Sequence, residues 1–304
     1  MDSDIGYSQR ASCLSNFGLS PSSSWNASFR YLEELCLNGV TVEGELIEQP
    51  LAICPVLERL ILGLAPTLNR VRASGRSLKL KYLSITCCFD LKCVEIYDTN
   101  LVSFAIVGPQ IPLCLDKLPQ LSEVSIEGFS LRLVHVTLSQ LSSLSCLQIL
   151  KLQFYDSPDE NLLIRQLPKL VSVKKLELRV HGLRDASLLP LTLLIEACPC
   201  MQSFVFELMD PREMLCRQRE PKRVVQAPHR YLKEVEFSNY YGRPCDHELV
   251  NYLVENAFNL EKLVVNPCEE EWFTSEMKKV KEPRERALQQ LEGKLPSRID
   301  LVIN

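Results

Sequence analysis

The chain has little glycine and no long apolar run, and these shortages exclude several kinds of protein. Only 11 of its 304 residues are glycine, and no glycine-rich phosphate-binding loop is present. No apolar stretch reaches the roughly 18 residues that a membrane-spanning helix needs. The first residues lack the basic start and apolar centre of a secretory signal. We therefore expect a soluble intracellular chain, in the cytoplasm, the nucleus or both, with no membrane partner and no cofactor.

Cysteine is abundant, but it lacks the spacing of a metal site. The chain has 13 cysteines, an odd number, and no C-x-x-C pair. Cys87-Cys88 and Cys198-Pro199-Cys200 do not match zinc-ligand spacing. In a reducing compartment such cysteines act mostly as small buried hydrophobic residues. We therefore predict no metal site.

Histidine is scarce, and no nucleophile motif surrounds the four histidines. Cys245-Asp246-His247 has the residue types of a catalytic cluster, but the simpler interpretation is a helix cap followed by an exposed histidine. We predict no catalytic residue, so the chain should not be an enzyme. The formal net charge is -4 and the pI is about 5.7. Nucleic-acid binders usually carry a basic balance, and we expect no nucleic-acid partner.

One short apolar pattern recurs along the chain. It reads apolar, two residues, apolar, one residue, apolar, and it is typical of a leucine-rich repeat. The last two apolar positions share one face of a strand, because side chains alternate along it. An amphipathic helix would continue the apolar spacing, whereas this pattern stops after six residues. The middle apolar residues of the eleven rows are Leu35, Leu60, Leu83, Val94, Phe104, Val124, Leu150, Leu176, Phe204, Val235 and Leu263.

The repeats predict an α/β leucine-rich-repeat solenoid. Its parallel sheet should line a concave side, with irregular or helical segments on the convex side. The row at Val94 is too close to its neighbours, because a parallel crossover needs roughly a dozen residues. We therefore place Val94 on the convex side and expect Leu83 and Phe104 to lie on adjacent concave strands. Ten concave strands result.

The composition divides the chain into four segments. Residues 1–28 are rich in serine and poor in aliphatic residues, so we expect a flexible N-terminal arm. Leucine-rich repeats follow over 29–209, a loop over 210–228 and a C-terminal unit over 229–304 that continues the solenoid. The predicted helical segments are 45–54, 189–198, 247–257 with Asp246 as its N-cap, and 275–291, and a last strand covers 299–303.

The C-terminal segment resembles the FBD module of plant F-box/FBD/leucine-rich-repeat proteins. The order there is strand, glycine turn, helix and strand, and the end of the chain and a mid-chain segment also resemble the family. The residues that carry the resemblance are HRYLKEVEF at 229–237, YYG at 240–242, ELVNYLVENA at 248–257, LEKLVVNP at 260–267, LPSRIDLVI at 295–303, and NLVSF at 100–104 with Gly108.

This resemblance implies a role in recognising proteins. Members of the family commonly carry an N-terminal F-box that docks on the Skp adaptor of a cullin ubiquitin ligase, and their repeats are thought to hold the substrate. The first 28 residues of this chain are too short and too polar for an F-box. A Skp adaptor and a cullin are therefore expected partners only if an F-box is supplied, and an F-box-less structural or decoy paralogue is the alternative.

The concave face is the candidate site for a protein partner. Residues flanking the middle apolar position of each strand should point away from the core, and solenoids use such rows for binding. The row mixes charged and apolar side chains without a stripe of one sign. The candidate protein-binding residues are Glu34, Arg59, Tyr82, Ser103, Glu123, Lys151, Lys175, Glu177, Glu234, Glu236 and Lys262.

Overall fold

The computed structural model contains two compact units. Unit 1 comprises Met1–Gly128 and Ser143–Cys146, and unit 2 comprises Phe129–Ser142 and Leu147–Asn304. Each is built of repeated coils in which a parallel strand alternates with a return segment, so the predicted α/β leucine-rich-repeat fold is confirmed. The structure describes residues 11–15, 18–19, 31–39, 41–42, 51, 54–129, 134–155, 167–181, 187–209, 228–268 and 283–304.

A large parallel sheet forms one side of unit 1. Each strand pairs in register with the strand of the next coil, so that Leu35, Leu60 and Leu83 are direct neighbours. A further pair of two-residue strands, β2 (Gly18–Leu19) and β4 (Thr41–Val42), runs parallel as well. The large sheet consists, in order, of β1 (Ala11–Ser15), β3 (Glu34–Asn38), β5 (Arg59–Gly63), β7 (Tyr82–Thr86), β9 (Ser103–Val107) and β11 (Glu123–Phe129).

The return segments of unit 1 form a second parallel sheet. Its strands are β6 (Arg70–Ser74), β8 (Cys93–Tyr97) and β10 (Leu113–Asp116), with β8 in the middle. Within the large sheet, Leu83 pairs directly with Phe104, whereas Val94 pairs with residues of the second sheet. The prediction that the row at Val94 lies outside the large sheet is therefore confirmed.

Unit 2 repeats the large sheet with longer return segments. The inward residues Leu150, Leu176 and Leu263 are 0%, 1% and 1% exposed, which confirms the predicted register of their rows. Burying each such leucine contributes about 1.5–3 kcal/mol. The parallel strands, in order, are β12 (Ile149–Phe154), β13 (Lys175–His181), β14 (Ser203–Met209), β15 (Glu234–Tyr240), β16 (Lys262–Pro267) and β17 (Asp300–Ile303).

Helices occupy the return segments of unit 2. None of the helices in the described part of the chain is long and apolar enough to cross a membrane. The segment predicted over 189–198 is helical throughout most of its length, with Pro190 inside its first turn. The helices are α1 (Val134–Leu141), a 3-10 turn (Leu189–Leu191), α2 (Thr192–Ala197), α3 (Pro244–Asn256) and α4 (Pro283–Leu291).

Several sequence-based expectations need correction. The segment predicted as a flexible arm contains β1, whose backbone pairs in register with β3. Helix α3 begins at Pro244, with Arg243 as the N-cap, so the predicted N-cap Asp246 instead lies in the first turn. Helix α1 was not predicted. Outside the described residues lie most of the predicted helix over 45–54, the start of the one over 275–291 and most of the loop over 210–228.

The chain turns sharply where the unit-1 strands end. Leu64 and Cys87 adopt left-handed φ values of 47° and 53°, and Gly108 and Gly128 occupy the equivalent positions of the next coils. Backbone amides at these turn positions donate hydrogen bonds to the strand of the next coil. The amide of Leu64, for example, donates to the carbonyl of Thr86 at 2.9 Å. A Cβ on Gly128 would lie 2.8 Å from the carbonyl oxygen of Gly108. That position therefore requires glycine.

Candidate functional site

Alternate side chains in each strand of the large sheets point away from the core. We call the side of each sheet that carries them the outer face. In unit 1 the five predicted residues occupy equivalent positions of successive strands, so they form one continuous line. Four of them are half-buried and Arg59 is exposed. The line runs Glu34, Arg59, Tyr82, Ser103, Glu123.

Arg59 links the first three side chains of that line. Its Nε lies 3.6 Å from Oε1 of Glu34, and its guanidinium carbon lies 3.9 Å from the centre of the Tyr82 ring. The ion pair is exposed and contributes little to stability. The stacking on Tyr82 nevertheless holds a planar donor group in place. Arginine and tyrosine are also enriched among the residues that dominate protein interfaces.

The six predicted residues of unit 2 fall on two parallel lines of the outer face. Lys175, Glu234 and Lys262 lie on the first line, which also contains Ser203 and Asp300. The second line combines three charged residues with three half-buried valines. It runs Lys151, Glu177, Val205, Glu236, Val264, Val302.

Glu177 is the centre of a small charge network on this face. Its carboxylate lies 2.7 Å from Nζ of Lys175 and 4.0 Å from Nζ of Lys151, and its side chain is only 17% exposed. Two strands away, the side-chain amide of Asn266 donates to Glu236 at 2.9 Å. The predicted charges therefore hold one another in fixed positions. They offer a partner both donors and acceptors.

Residues further along the strands of the outer face were missed by the sequence analysis. Nε2 of Gln153 lies 2.8 Å from Nε2 of His181, and the ring of Tyr155 stacks on His181 with the centroids 4.6 Å apart. Beside them, Nε of Arg179 lies 2.9 Å from Oε2 of Glu207. These residues continue the strand alternation beyond the six-residue repeat, as in the segment KLELRVH at 175–181. Extending that alternation would have revealed them.

The residues of the Cys245-Asp246-His247 segment fix the start of helix α3. The Asp246 carboxylate accepts hydrogen bonds from Nε of Arg243 at 3.1 Å and from the amide of Arg243 at 3.0 Å, and the Arg243–Asp246 ion pair is 1% and 0% exposed. His247 was expected to be exposed but is half-buried, and burial lowers its pKa. The network has the geometry of a buried cap.

Metal ligands do not cluster in the described part of the chain. Within it, no group of three or more histidine, cysteine, aspartate or glutamate side chains is placed to hold an ion. Cys198 and Cys245 are buried, as expected for structural cysteines, whereas Cys114 is exposed. Burial raises the pKa of the Cys198 thiol to about 12, which disfavours its reactive thiolate form.

Comparison with known proteins agrees with this architecture. A family model described as At1g61320/AtMIF1, LRR domain, matches residues 2–292. A search of curated proteins found no match. Leucine-rich-repeat domains are typically protein-interaction modules and not enzymes. With its coils in register and nearly its whole length matched, the chain belongs to the plant At1g61320/AtMIF1 leucine-rich-repeat family.

Proposed function

We propose that the outer face of the repeats binds a protein substrate, and that the chain is the substrate-recognition part of an SCF-type ubiquitin ligase. The observation that carries the binding proposal is the organisation of charge on this face. Arg59 is stacked on Tyr82, and Glu177 is bracketed by two lysines. Groups fixed in this way lose less conformational entropy when a partner binds.

The link to ubiquitin ligation rests on the FBD-like C-terminal segment. Its strand, glycine turn, helix and strand are β15, Gly242, α3 and β16 in this chain. The family that this order resembles joins its repeats to an F-box. A Skp adaptor and a cullin would therefore be partners if an F-box is supplied, for instance by another chain. The alternative function is an F-box-less structural or decoy paralogue that has no ligase role.

Proximity labelling in plant tissue tests the binding proposal. The fused chain is compared with an outer-face variant, Arg59→Glu with Lys175→Glu, and with a matched control, Lys294→Glu. Lys294 is exposed and lies outside the outer face. We expect a set of labelled proteins whose signal falls about tenfold in the outer-face variant and is kept in the control, because reversed charges repel the partner. Equal signals for all three chains would contradict the proposal.

The ligase role is tested separately by co-purification. Skp adaptor and cullin should be recovered with the wild-type chain and with the outer-face variant, because the variant alters only the substrate side. Recovery of labelled proteins without Skp or cullin would support the decoy alternative. Such a result would leave the protein-binding proposal intact.

A further inference from the structure

Tight turns lead into the strands of unit 2, and they lie side by side. The amide of Val173 donates to Leu170 at 3.3 Å, and the equivalent bonds from Met201 and Leu260 are both 3.1 Å long. The strands that follow pair in register, so the turns of successive coils are neighbours. The side-chain amide of Asn259 also donates to the carbonyl of Arg230, at 2.6 Å, and thereby joins two of the turns.

These turns carry large apolar side chains in solvent. Val171, Tyr231 and Phe258 are 62%, 55% and 61% exposed, and the exposed Pro199 occupies the turn between the first two. We call these four residues the turn ridge. Single exposed apolar residues are ordinary, but a contiguous group usually marks a binding surface.

The charged residues in the turns that form the ridge are mostly basic. The four turn segments, 169–174, 197–202, 228–233 and 256–261, contain four lysines or arginines and one acidic residue, Glu261. Glu261 is already paired with Lys233 at 3.1 Å. Nζ of Lys169 donates to the backbone carbonyl of Glu196. That acceptor is uncharged, so this hydrogen bond does not neutralise the positive charge of Lys169. Within these four turn segments, the apolar ridge is therefore accompanied by an excess of positive charge.

A buried polar network fixes the ridge from below. His229, which begins the third turn, is 5% exposed, and its Nε2 lies 2.8 Å from the hydroxyl of Tyr252. That hydroxyl also donates to Glu196 at 3.4 Å. The backbone amide of His229 donates to Asn256 at 2.9 Å. A ridge held in this way is preorganised for a partner.

We propose that the turn ridge binds an acidic segment of a partner protein that carries aromatic or aliphatic side chains. The apolar side chains of the segment would cover Tyr231 and Phe258, while its carboxylates would face Lys169, Lys174 and Arg230. The ridge lies on the turns and not on the outer face of the sheet. It therefore does not depend on the function proposed above.

Fluorescence anisotropy with defined peptides and the full chain tests this proposal. The probe is a labelled peptide of about twelve residues in which leucine and phenylalanine alternate with aspartate and glutamate. One comparison peptide has lysine in place of every acid, and another has serine in place of every apolar residue. We expect measurable binding of the probe only, weakened by added salt because the charges are exposed. Equal binding of the lysine peptide, or no binding of the probe at about 1 mM, would overturn the proposal.

Matched variants locate the binding. Tyr231→Ser with Phe258→Ser should weaken the probe about tenfold, and Lys174→Glu with Arg230→Glu should weaken it by a similar factor. Val136→Ser is the control, because Val136 is 52% exposed on helix α1, away from the turns. Circular dichroism checks that each variant is folded. Loss of binding in the control, or its retention in a folded ridge variant, would contradict the assignment. So would a dimer of the wild-type chain that disappears in the ridge variant, since the occupant would then be a second copy.

Discussion

In both units the chain must return from the end of one sheet strand to the start of the next parallel strand, and the two units do so with different segments. Behind the large sheet, unit 1 has strands β6, β8 and β10, whereas unit 2 has mostly helices. Successive middle residues of the sheet strands are 20 to 25 positions apart in unit 1 and 26 to 38 apart in unit 2. A strand advances about 3.3 Å per residue and a helix about 1.5 Å. The shorter coils can therefore return only in extended form, so coil length determines the return element.

The core under the large sheet should be equally important in both kinds of coil. Leu176→Asp in unit 2 and Leu83→Asp in unit 1 should each lower the free energy of unfolding by roughly 5 kcal/mol, because a carboxylate replaces a buried side chain. Both leucines are 1% exposed. Urea denaturation provides the measurement, with Val136→Asp as an exposed control that should change little. Unchanged stability of Leu176→Asp would refute the repeat register.

The buried ion pair at the start of α3 is a feature of the helical unit. Arg243→Met should cost about 3–5 kcal/mol in unfolding free energy, because it leaves the Asp246 carboxylate buried without its guanidinium partner. Arg179→Met is the matched control. The side chains of Arg179 and Glu207 are 47% and 30% exposed, and an exposed pair contributes about 1 kcal/mol or less. Equal losses in the two variants would show that burial does not distinguish the pairs.

The buried histidine of unit 2 predicts a dependence of stability on pH. Burial, and secondarily Lys169, lowers the pKa of His229 from 6.5 to about 4. The unfolded chain therefore binds an extra proton between these values. This stability is fully present above about pH 6.5, and about 3 kcal/mol of it is lost as the pH falls towards 4. Unfolding curves of His229→Gln should lack this part of the slope, whereas His135→Gln, a substitution on α1, should retain it.

The smallest expected effect tests the close turns of unit 1. Gly128→Ala should cost about 2 kcal/mol, because φ is 85° there and the new Cβ would meet the Gly108 backbone. Gly63→Ala is the matched control. Its Cβ would meet only the side chain of Asn38, at 2.9 Å, and that side chain can move. Thermal unfolding of the two variants should therefore differ, and equal melting temperatures would argue against the backbone contact.

The repeated apolar spacing was sufficient to predict ten of the twelve strands described in the large sheets, but it missed weaker examples. The row of strand β6 has the repeat spacing at Leu68, Val71 and Ala73, but its last position is the small residue alanine. In β10 the first position is Gln110, which is not apolar. Strand β1 is held by backbone pairing with β3, a signal that composition does not contain. The sequence therefore predicts strands that carry large core residues better than strands that form through backbone pairing with a neighbouring coil.

The candidate site was also predictable only in part. The outer positions of the six-residue repeat follow from strand alternation, and the structure places all eleven predicted residues on the outer face of the large sheets. The stacking of Arg59 on Tyr82 depends on rotamers, so spacing cannot reveal it. The turn ridge was missed for a different reason. Its residues lie between repeat rows, where only the register of successive coils brings Tyr231 near Phe258.

Strand β17 also affects how the protein behaves at high concentration. It lies at the edge of the unit-2 sheet, and an exposed edge can recruit strands from other molecules and start aggregation. The strand is only four residues long and begins with the exposed Asp300. In a parallel, in-register stack of two copies, Asp300 would face its own counterpart, and the repulsion would oppose pairing. A short edge with a charge at its start therefore protects the sheet from growing into a fibril.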